Sequence, residues 1–346
     1  MKAVPKMQDV ARVSGYSRAA VSMALRGNRT IPEATRLRIQ AVASRLGYRP
    51  SPLVAALMSL HRRRRVGTEA TTAIAYLSSH SPENPWRRQQ VYRSMFAGAS
   101  ERATELGYRL EEFDLGARGM TPGRMGEILR TRHIHAVIVA PLPHRDTQLD
   151  FDVSSLAVVS LGLSVQAPLI ERVSNDHFQS AVLAVQRCVT LGYRRIGLAV
   201  SEETSHRLDH RWLGGYRLAV EQHGFGGHVP PLMTARTAGL IAAMPAWLRT
   251  HRPDVVILGN SEANLFARVP VAIGVVDLGV ARRDDAKTGI FQNYQLQGAV
   301  AVEHVIAKLQ SNTLGPLAEA HLHLVAGIWV PGRSAPGPGR RRPSLA

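Results

Sequence analysis

Apolar positions along the chain fall into two regimes. Between Met7 and Leu46 they recur in short helical bursts broken by polar turn residues, which predicts small amphipathic helices. From Thr71 onward, continuous apolar runs of strand length alternate with longer helical periodicities. AIAYLSS, RLEEFDL, AVIVAP, LAVVSLGL, RIGLAV, DVVILG, VAIGVVDL and HLHLVAGIWV read as strands. VYRSMFAGASERATELGY, PGRMGEILRTR, SAVLAVQRCVTLGY, GGYRLAVEQHG, IAAMPAWLRTH and LQGAVAVEHVIAKLQ read as helices. Strands apolar throughout, separated by amphipathic helices, predict parallel sheets covered on both faces.

The segment MQDVARVSGYSRAAVSMALR, residues 7–26, carries the marks of two short helices joined by a tight turn. A steep crossing needs a small side chain on the first helix, supplied by Ala11. The turn needs a residue that enters the left-handed region cheaply, supplied by Gly15. Ser17 suits the N-cap of the second helix, and Val21 is the branched apolar residue that fills the space between the two. This is the spacing of a helix-turn-helix, whose second helix reads bases in the DNA major groove. A plain helical hairpin competes with it on Ala-Gly-Val spacing alone. A third helix opens at Thr30 or at Ile31-Pro32, with Leu37, Ile39, Val42, Ala43 and Leu46 as its apolar stripe and Gly47 as its stop. Pro50 and Pro52 then interrupt regular structure. Beyond them LVAALMSL is an apolar helix without a polar face, running into HRRRR, and it must bury itself against a second copy or against DNA.

Charge decides between helix-turn-helix and hairpin. Through Val66 the chain holds 14 Lys and Arg against Asp9 and Glu33, a balance of +12 out of +17 for all 346 residues. A basic head on a near-neutral body is the footprint of a nucleic-acid-binding module joined to something else. The composition, 45% hydrophobic, suffices for a large core, yet no run approaches the roughly 18 consecutive apolar residues of a membrane helix. Asp9, Arg12 and Arg18 interrupt the N-terminal segment where a secretion signal needs an apolar stretch. The single cysteine, Cys188, excludes an internal disulfide and any multi-cysteine metal site, and its apolar neighbours predict burial. The expectation is a cytoplasmic protein that does not enter a membrane.

These motifs make the chain similar to the LacI/GalR family of bacterial transcription regulators. That family opens with D-V-A, a Gly turn, a Ser-led recognition helix of the type S-x-x-T-V-S-R-A-L-N-G, and a helix closing in L-G-Y-x-P. Here the corresponding residues are Asp9-Val10-Ala11, Gly15, SRAAVSMALRG from Ser17 to Gly27, and Leu46-Gly47-Tyr48-Arg49-Pro50. The resemblance spans nearly the whole chain and is stronger in the head. It implies an all-α helix-turn-helix domain at 1–50 and a hinge helix with a basic linker at 51–66. A two-lobed, periplasmic-binding-protein-like α/β body with parallel sheets follows at 67–332, and a disordered basic tail at 333–346. It further implies a homodimer on a pseudo-palindromic site in double-stranded DNA and repression of transcription. Control would come from a small polar effector, a sugar or sugar derivative, held between the lobes. No cofactor, metal or catalytic residue is expected.

The resemblance assigns DNA contacts to Ser17, Arg18, Ala19, Ser22, Met23, Arg26 and Arg29. It makes Leu57 a wedge between base pairs in the minor groove, where unstacking a step bends the duplex and opens further contacts. Ala20, Met23 and Arg26 depart from the family's Thr, Arg and Asn. Methionine offers apolar contact where arginine forks onto guanine, so the expected operator differs from the family's commonest one. Arg18, at the start of the recognition helix, is the best-placed side chain for a guanine contact.

The expected effector cleft departs further. The family's effector-clamping arginine precedes a Gly-aromatic pair by three residues. That pair is Gly215-Tyr216 here, the matching position is Trp212, and Arg211 stands one residue earlier. Either Arg211 takes the role or Trp212 stacks on the ligand. Of the family's G-F-D-D element, Gly274-Val275-Val276-Asp277 keeps only the second acid. Trp86, Asn260 and Gln292 complete the expected lining, although an aromatic at position 86 suits lobe packing equally well. Two other readings stay open. One is a metal-dependent enzyme: His206 and His210 lie four apart in HRLDH, but Arg207 stands where a metalloprotease needs Glu. His321 and His323 share a strand face with no third ligand evident, and no nucleophile elbow or phosphate loop follows any strand. The other is a DNA-bending regulator whose body no longer binds a ligand.

Overall fold

The computed structural model describes residues 7–25, 31–46, 48, 72–79, 89–142, 147–224, 229–259, 263–284, 286–319 and 321–341. The head comprises α1 (Met7–Ser14), α2 (Arg18–Leu25) and α3 (Glu33–Leu46). Val10, Val21, Ala24, Ile39 and Ala43 form its buried centre, with Ala11, Tyr16 and Leu46 packed round them. Leu37, expected in the stripe of α3, is instead 56% exposed. It stands two residues before the buried Ile39, on nearly the opposite side of the helix.

The body opens with β1 (Thr72–Ser78), α4 (Gln90–Glu105), β2 (Tyr108–Asp114), α5 (Pro122–Thr131), β3 (Ala136–Val139) and β4 (Thr147–Gln148). It continues through β5 (Ala157–Leu161), β6 (Val165–Ala167), β7 (Glu171–Asn175), α6 (His177–Thr190), β8 (Ile196–Ser201), α7 (Glu202–Arg207) and α8 (Arg211–Gln222). Then come β9 (Leu232–Thr234), α9 (Thr237–His251), β10 (Val255–Leu258), α10 (Ala263–Phe266), β11 (Gly274–Val280) and β12 (Thr288–Phe291). The last elements are α11 (Tyr294–Ser311), β13 (Leu322–Val325) and β14 (Ile328–Val330).

Two sheets define two lobes. Lobe 1 runs β13-β7-β5-β3-β1-β2, all parallel, and lobe 2 runs β14-β12-β11-β10-β8-β9, parallel except for β14. The strands read as continuous apolar runs are buried on both faces: β3, β5, β8, β10 and β11 have no exposed position. Glycines let the covering helices meet. A Cβ on Gly98 of α4 would lie 1.9 Å from the Gln295 carbonyl oxygen, and one on Gly298 of α11 would lie 2.0 Å from that of Met95.

The chain passes between the lobes three times among the described residues, after β7, after β12 and after β13. This last passage corrects the expectation of one strand for HLHLVAGIWV. The segment splits between the two sheets at Ala326-Gly327, where a Cβ on Gly327 would come within 2.6 Å of Ser180 Oγ. The expected disordered tail at 333–346 is corrected as well, over its first residues. Ser334 is buried, its Oγ accepting the Thr288 N–H at 2.7 Å and donating to the Val275 carbonyl at 2.7 Å. Gly337 N–H donates to the Tyr193 hydroxyl at 2.9 Å, so this segment lies along lobe 2. Among the described residues no helix is long and apolar enough to cross a membrane.

Candidate DNA-binding head and inter-lobe cavity

The local chemistry of the head follows its sequence. Gly15 takes φ +75°, the left-handed conformation the turn requires, and its N–H donates to the Ala11 carbonyl at 3.0 Å. Ser17 Oγ accepts the Ala20 N–H at 3.2 Å, capping α2. Gln40 of α3 donates to the Ala24 carbonyl at 3.3 Å and fastens the other end of α2. Ser17 is exposed and Met23 is half-buried on α2. Arg18, Ala19 and Ser22 belong to α2, but their side chains lie outside the described residues. Arg26, Arg29, Leu57 and the run Arg62 to Arg65 lie outside them altogether.

Between the lobes a cavity of ≈ 470 Å³, including its opening to solvent, is bounded by the strand ends of lobe 1, by α7 and α8 of lobe 2 and by two of the passages. Its polar side chains include Ser174 and Asn175 at the end of β7, His177 and Trp212 from lobe 2, Arg207 of α7 and Gln297 of α11, beside Ser164 and the hydroxyl-bearing Tyr92 and Tyr294. Asp176 places His177 by capping α6, its carboxylate accepting the Gln179 N–H at 3.0 Å. Arg207 reaches across the lobes to the Tyr92 hydroxyl at 3.3 Å. Five buried polar atoms of this lining have no hydrogen-bond partner: Ser174 Oγ, Asn175 Oδ1, His177 Nδ1, Trp212 Nε1 and Gln297 Oε1. Burial, with Arg207 and Arg211 nearby, lowers the His177 pKa to about 3, so the imidazole is neutral at pH 7.

The residues expected in the cleft divide. Trp212 lines the cavity, but its ring is 1% exposed and stands edge-on to His177 with centroids 5.2 Å apart. Arg211 does not line the cavity and lies 3.9 Å from Asp209, while Arg207, four residues earlier, does line it. Asp277 is buried in lobe 2, its Oδ1 accepting the Gly279 N–H at 2.8 Å and its Oδ2 3.9 Å from Lys287 Nζ. Gln292 is a bolt between the passages. Its amide donates to the Leu278 carbonyl at 2.6 Å, its backbone carbonyl accepts from Asn175, and Ser180 stands 3.4 Å from its Oε1. Trp86 and Asn260 lie outside the described residues. His206 and His210 share no helix face, because α7 ends at Arg207 and both Asp209 and His210 are left-handed. Cys188 is fully buried, and burial raises its pKa, keeping the thiol protonated.

Three packed helices with a basic composition, the second capped by Ser17, joined to a two-lobed body with a polar cavity, define a DNA-binding transcriptional regulator with a sugar-binding-type domain. The family model "Bacterial regulatory proteins, lacI family" matches residues 6–51, and "Periplasmic binding proteins and sugar binding domain of LacI family" matches residues 71–272. The chain belongs to the LacI family. It is 27% identical over 363 aligned positions to the HTH-type transcriptional regulator MalR of Streptomyces coelicolor, covering 97% of this chain and 98% of that protein. It is 26% identical over 258 positions to the HTH-type transcriptional regulator RafR of Escherichia coli, covering 73% and 72%. Its fold is similar to that of the transcriptional regulator CelR–cellobiose complex, with a TM-score of 0.58, 19% identity and coverage of 96% and 100%. It is similar also to the Lac repressor dimer bound to operator and the anti-inducer ONPF, with a TM-score of 0.56, 16% identity and coverage of 96% and 99%. These relatives are regulators, not enzymes.

Proposed function

We infer that the protein is a cytoplasmic homodimeric repressor whose hold on a pseudo-palindromic operator is set by a small neutral polyol, a sugar or sugar derivative, held between the lobes. The observation that carries this reading is the group of five unpartnered buried polar atoms on residues that line the inter-lobe cavity. Buried polar groups are nearly always hydrogen-bonded, and each one left without a partner costs roughly 1–3 kcal/mol. Trp212 Nε1 and Arg207 donate, Asn175 Oδ1 and Gln297 Oε1 accept, and Ser174 Oγ does both. The described lining contains no carboxylate, and its imidazole is neutral. Hydroxyl groups, which donate and accept at once, match such a wall better than a cation does.

Cellobiose in CelR and the anti-inducer in Lac repressor, each bound to a protein of this fold, support a sugar as the ligand class. Dimerisation is supported by the operator-bound Lac repressor dimer and by the reach of one head, which reads only a few base pairs. The test is calorimetric titration of the full-length protein with a panel of mono- and disaccharides, followed by operator binding with and without the best binder. A binder that changes operator affinity is the expected result. A cooperatively folded protein that binds none of the panel and still bends DNA would replace this reading with that of a ligand-free DNA-bending regulator.

A further inference from the structure

At the β13 edge of lobe 1, outside the cavity lining, three elements bring one carboxylate and two imidazoles to a common point. Glu171 opens β7, His304 lies on α11 and His323 on β13. His304 Nδ1 stands 2.6 Å and His323 Nε2 2.7 Å from the same carboxylate oxygen, Glu171 Oε1. The three atoms all lie within 4.8 Å of one another, and the ring centroids are 3.8 Å apart. Glu171 is buried, whereas the two histidine side chains are 30% and 38% exposed, which leaves a way in from solvent.

A hydrogen-bonded triad is the simpler account, and His323 speaks against it. Its Nε2 is buried and, for all its closeness to Oε1, makes no hydrogen bond, so the nitrogen is not aligned with the oxygen it touches. Lys308, one turn beyond His304 on α11, sets its ammonium 3.7 Å from the other oxygen, Oε2. That leaves Oε1 as a single, separate donor.

We propose that Glu171 Oε1, His304 Nδ1 and His323 Nε2 form a binding site for a divalent transition-metal ion of the Zn²⁺ class, with a fourth position open to water. Two imidazoles and one carboxylate are donors that Zn²⁺ takes at about 2.0–2.2 Å, while Ca²⁺ and Mg²⁺ prefer oxygen. Tetrahedral bonds of that length hold ligand atoms about 3.3 Å apart, so each histidine nitrogen moves about 0.6–0.7 Å away from Glu171 Oε1 on loading. The part-exposed histidines have room for that movement. The ion ties β13, from which the chain returns to lobe 2, to both β7 and α11.

The test uses full-length protein stripped with a chelator. Zn²⁺ is titrated against a chromophoric competitor, and Co²⁺ is followed by its visible absorption. One equivalent per chain is expected, with a tetrahedral-type cobalt spectrum and a melting midpoint raised by Zn²⁺. His304→Gln and His323→Gln each weaken binding at least about tenfold, a scale that even outer-shell changes reach. His210→Gln, which breaks up the other close imidazole pair, leaves binding unchanged. Cooperative melting in metal-free buffer checks that each variant folds. Binding that survives in the His304→Gln/His323→Gln double variant, or that vanishes in His210→Gln instead, overturns the site. So does a cooperatively melting wild-type protein that takes up no Zn²⁺.

Discussion

The head and the inter-lobe cavity are built for recognition by opposite means. The centre of the head is an apolar cluster, the buried Ser14 beside it donates its hydroxyl to the Ala11 carbonyl, and its capping serine is exposed at the start of α2. The cavity does the reverse, holding polar atoms out of water without partners. The chemistry of each ligand explains the contrast. DNA is a polyanion whose condensed counterions are released by surface arginines, so affinity needs no desolvated wall. A neutral ligand brings no such charge and is gripped by hydrogen-bonding groups already stripped of water. Substitutions on the exposed face of the head should therefore move DNA affinity and leave stability alone, whereas in the cavity the two are coupled.

The largest expected effect lies on the DNA side. On the proposal that Leu57 wedges into the minor groove, Leu57→Ala should lose the contacts a bent duplex allows, worth a few kcal/mol, with ligand binding and melting unchanged. Operator affinity measured by fluorescence anisotropy checks this, and an unchanged value removes the wedge. Next comes the division of labour among arginines. Arg18→Ala should cost roughly 1–3 kcal/mol and relax preference at one base pair in each half-site. Neutralising Arg62 to Arg65 should instead weaken binding to all sequences alike and flatten the salt dependence. Selections from random DNA with both variants separate these roles. If the Arg62–Arg65 variant changes the preferred sequence and Arg18→Ala does not, the assignment is reversed.

The same contrast explains what could be read from the chain. The head's determinants are local: a φ that favours glycine at Gly15, a cap at Ser17 and an apolar contact at Val21 all lie within a few residues. The strands were legible because burial on both faces leaves an unbroken apolar run. The cavity was less so, because its wall is assembled at the passages from β7, α6, α7 and α11. Nothing in the sequence marks Arg207: the spacing to Gly215-Tyr216 points to Arg211, and the six-residue α7 is too short to carry a periodic signal. Glu171 is far from His323 in sequence, and only the pairing of β13 with β7 brings the two together, with His304 added from α11. The docking of Ser334 was hidden by the Pro/Gly-rich composition round it, since that serine's partners are backbone groups of β11 and β12.

Within the cavity, Ser174→Ala is the sharper probe, with a smaller effect. The hydroxyl is buried and makes no hydrogen bond, so its removal takes nothing from the ligand-free protein and relieves a desolvation cost. The melting midpoint should hold or rise slightly, while affinity for the proposed sugar ligand falls by about 1 kcal/mol, roughly fivefold. A clear loss of stability with unchanged ligand affinity would mark Ser174 as structural and shrink the candidate site.

The smallest effect expected is none at all, and it separates stability from binding at His177. Its folded-state pKa, about 3, is depressed below the ordinary histidine value by burial and by Arg207 and Arg211. The unfolded chain therefore binds the extra proton first. The contribution to stability is fully present above about pH 6.5 and is lost as pH falls toward 3, with a slope of at most about 1.4 kcal/mol per pH unit. His177→Phe should flatten that slope in urea denaturation followed across the window. Ligand affinity, by contrast, should stay level from neutrality down to about pH 5, because the imidazole remains neutral in the folded protein throughout. An affinity that titrates with a midpoint near 6 would mean that His177 meets solvent and charges freely. The cavity wall would then be wetter and more like the head than its buried, unpartnered atoms imply.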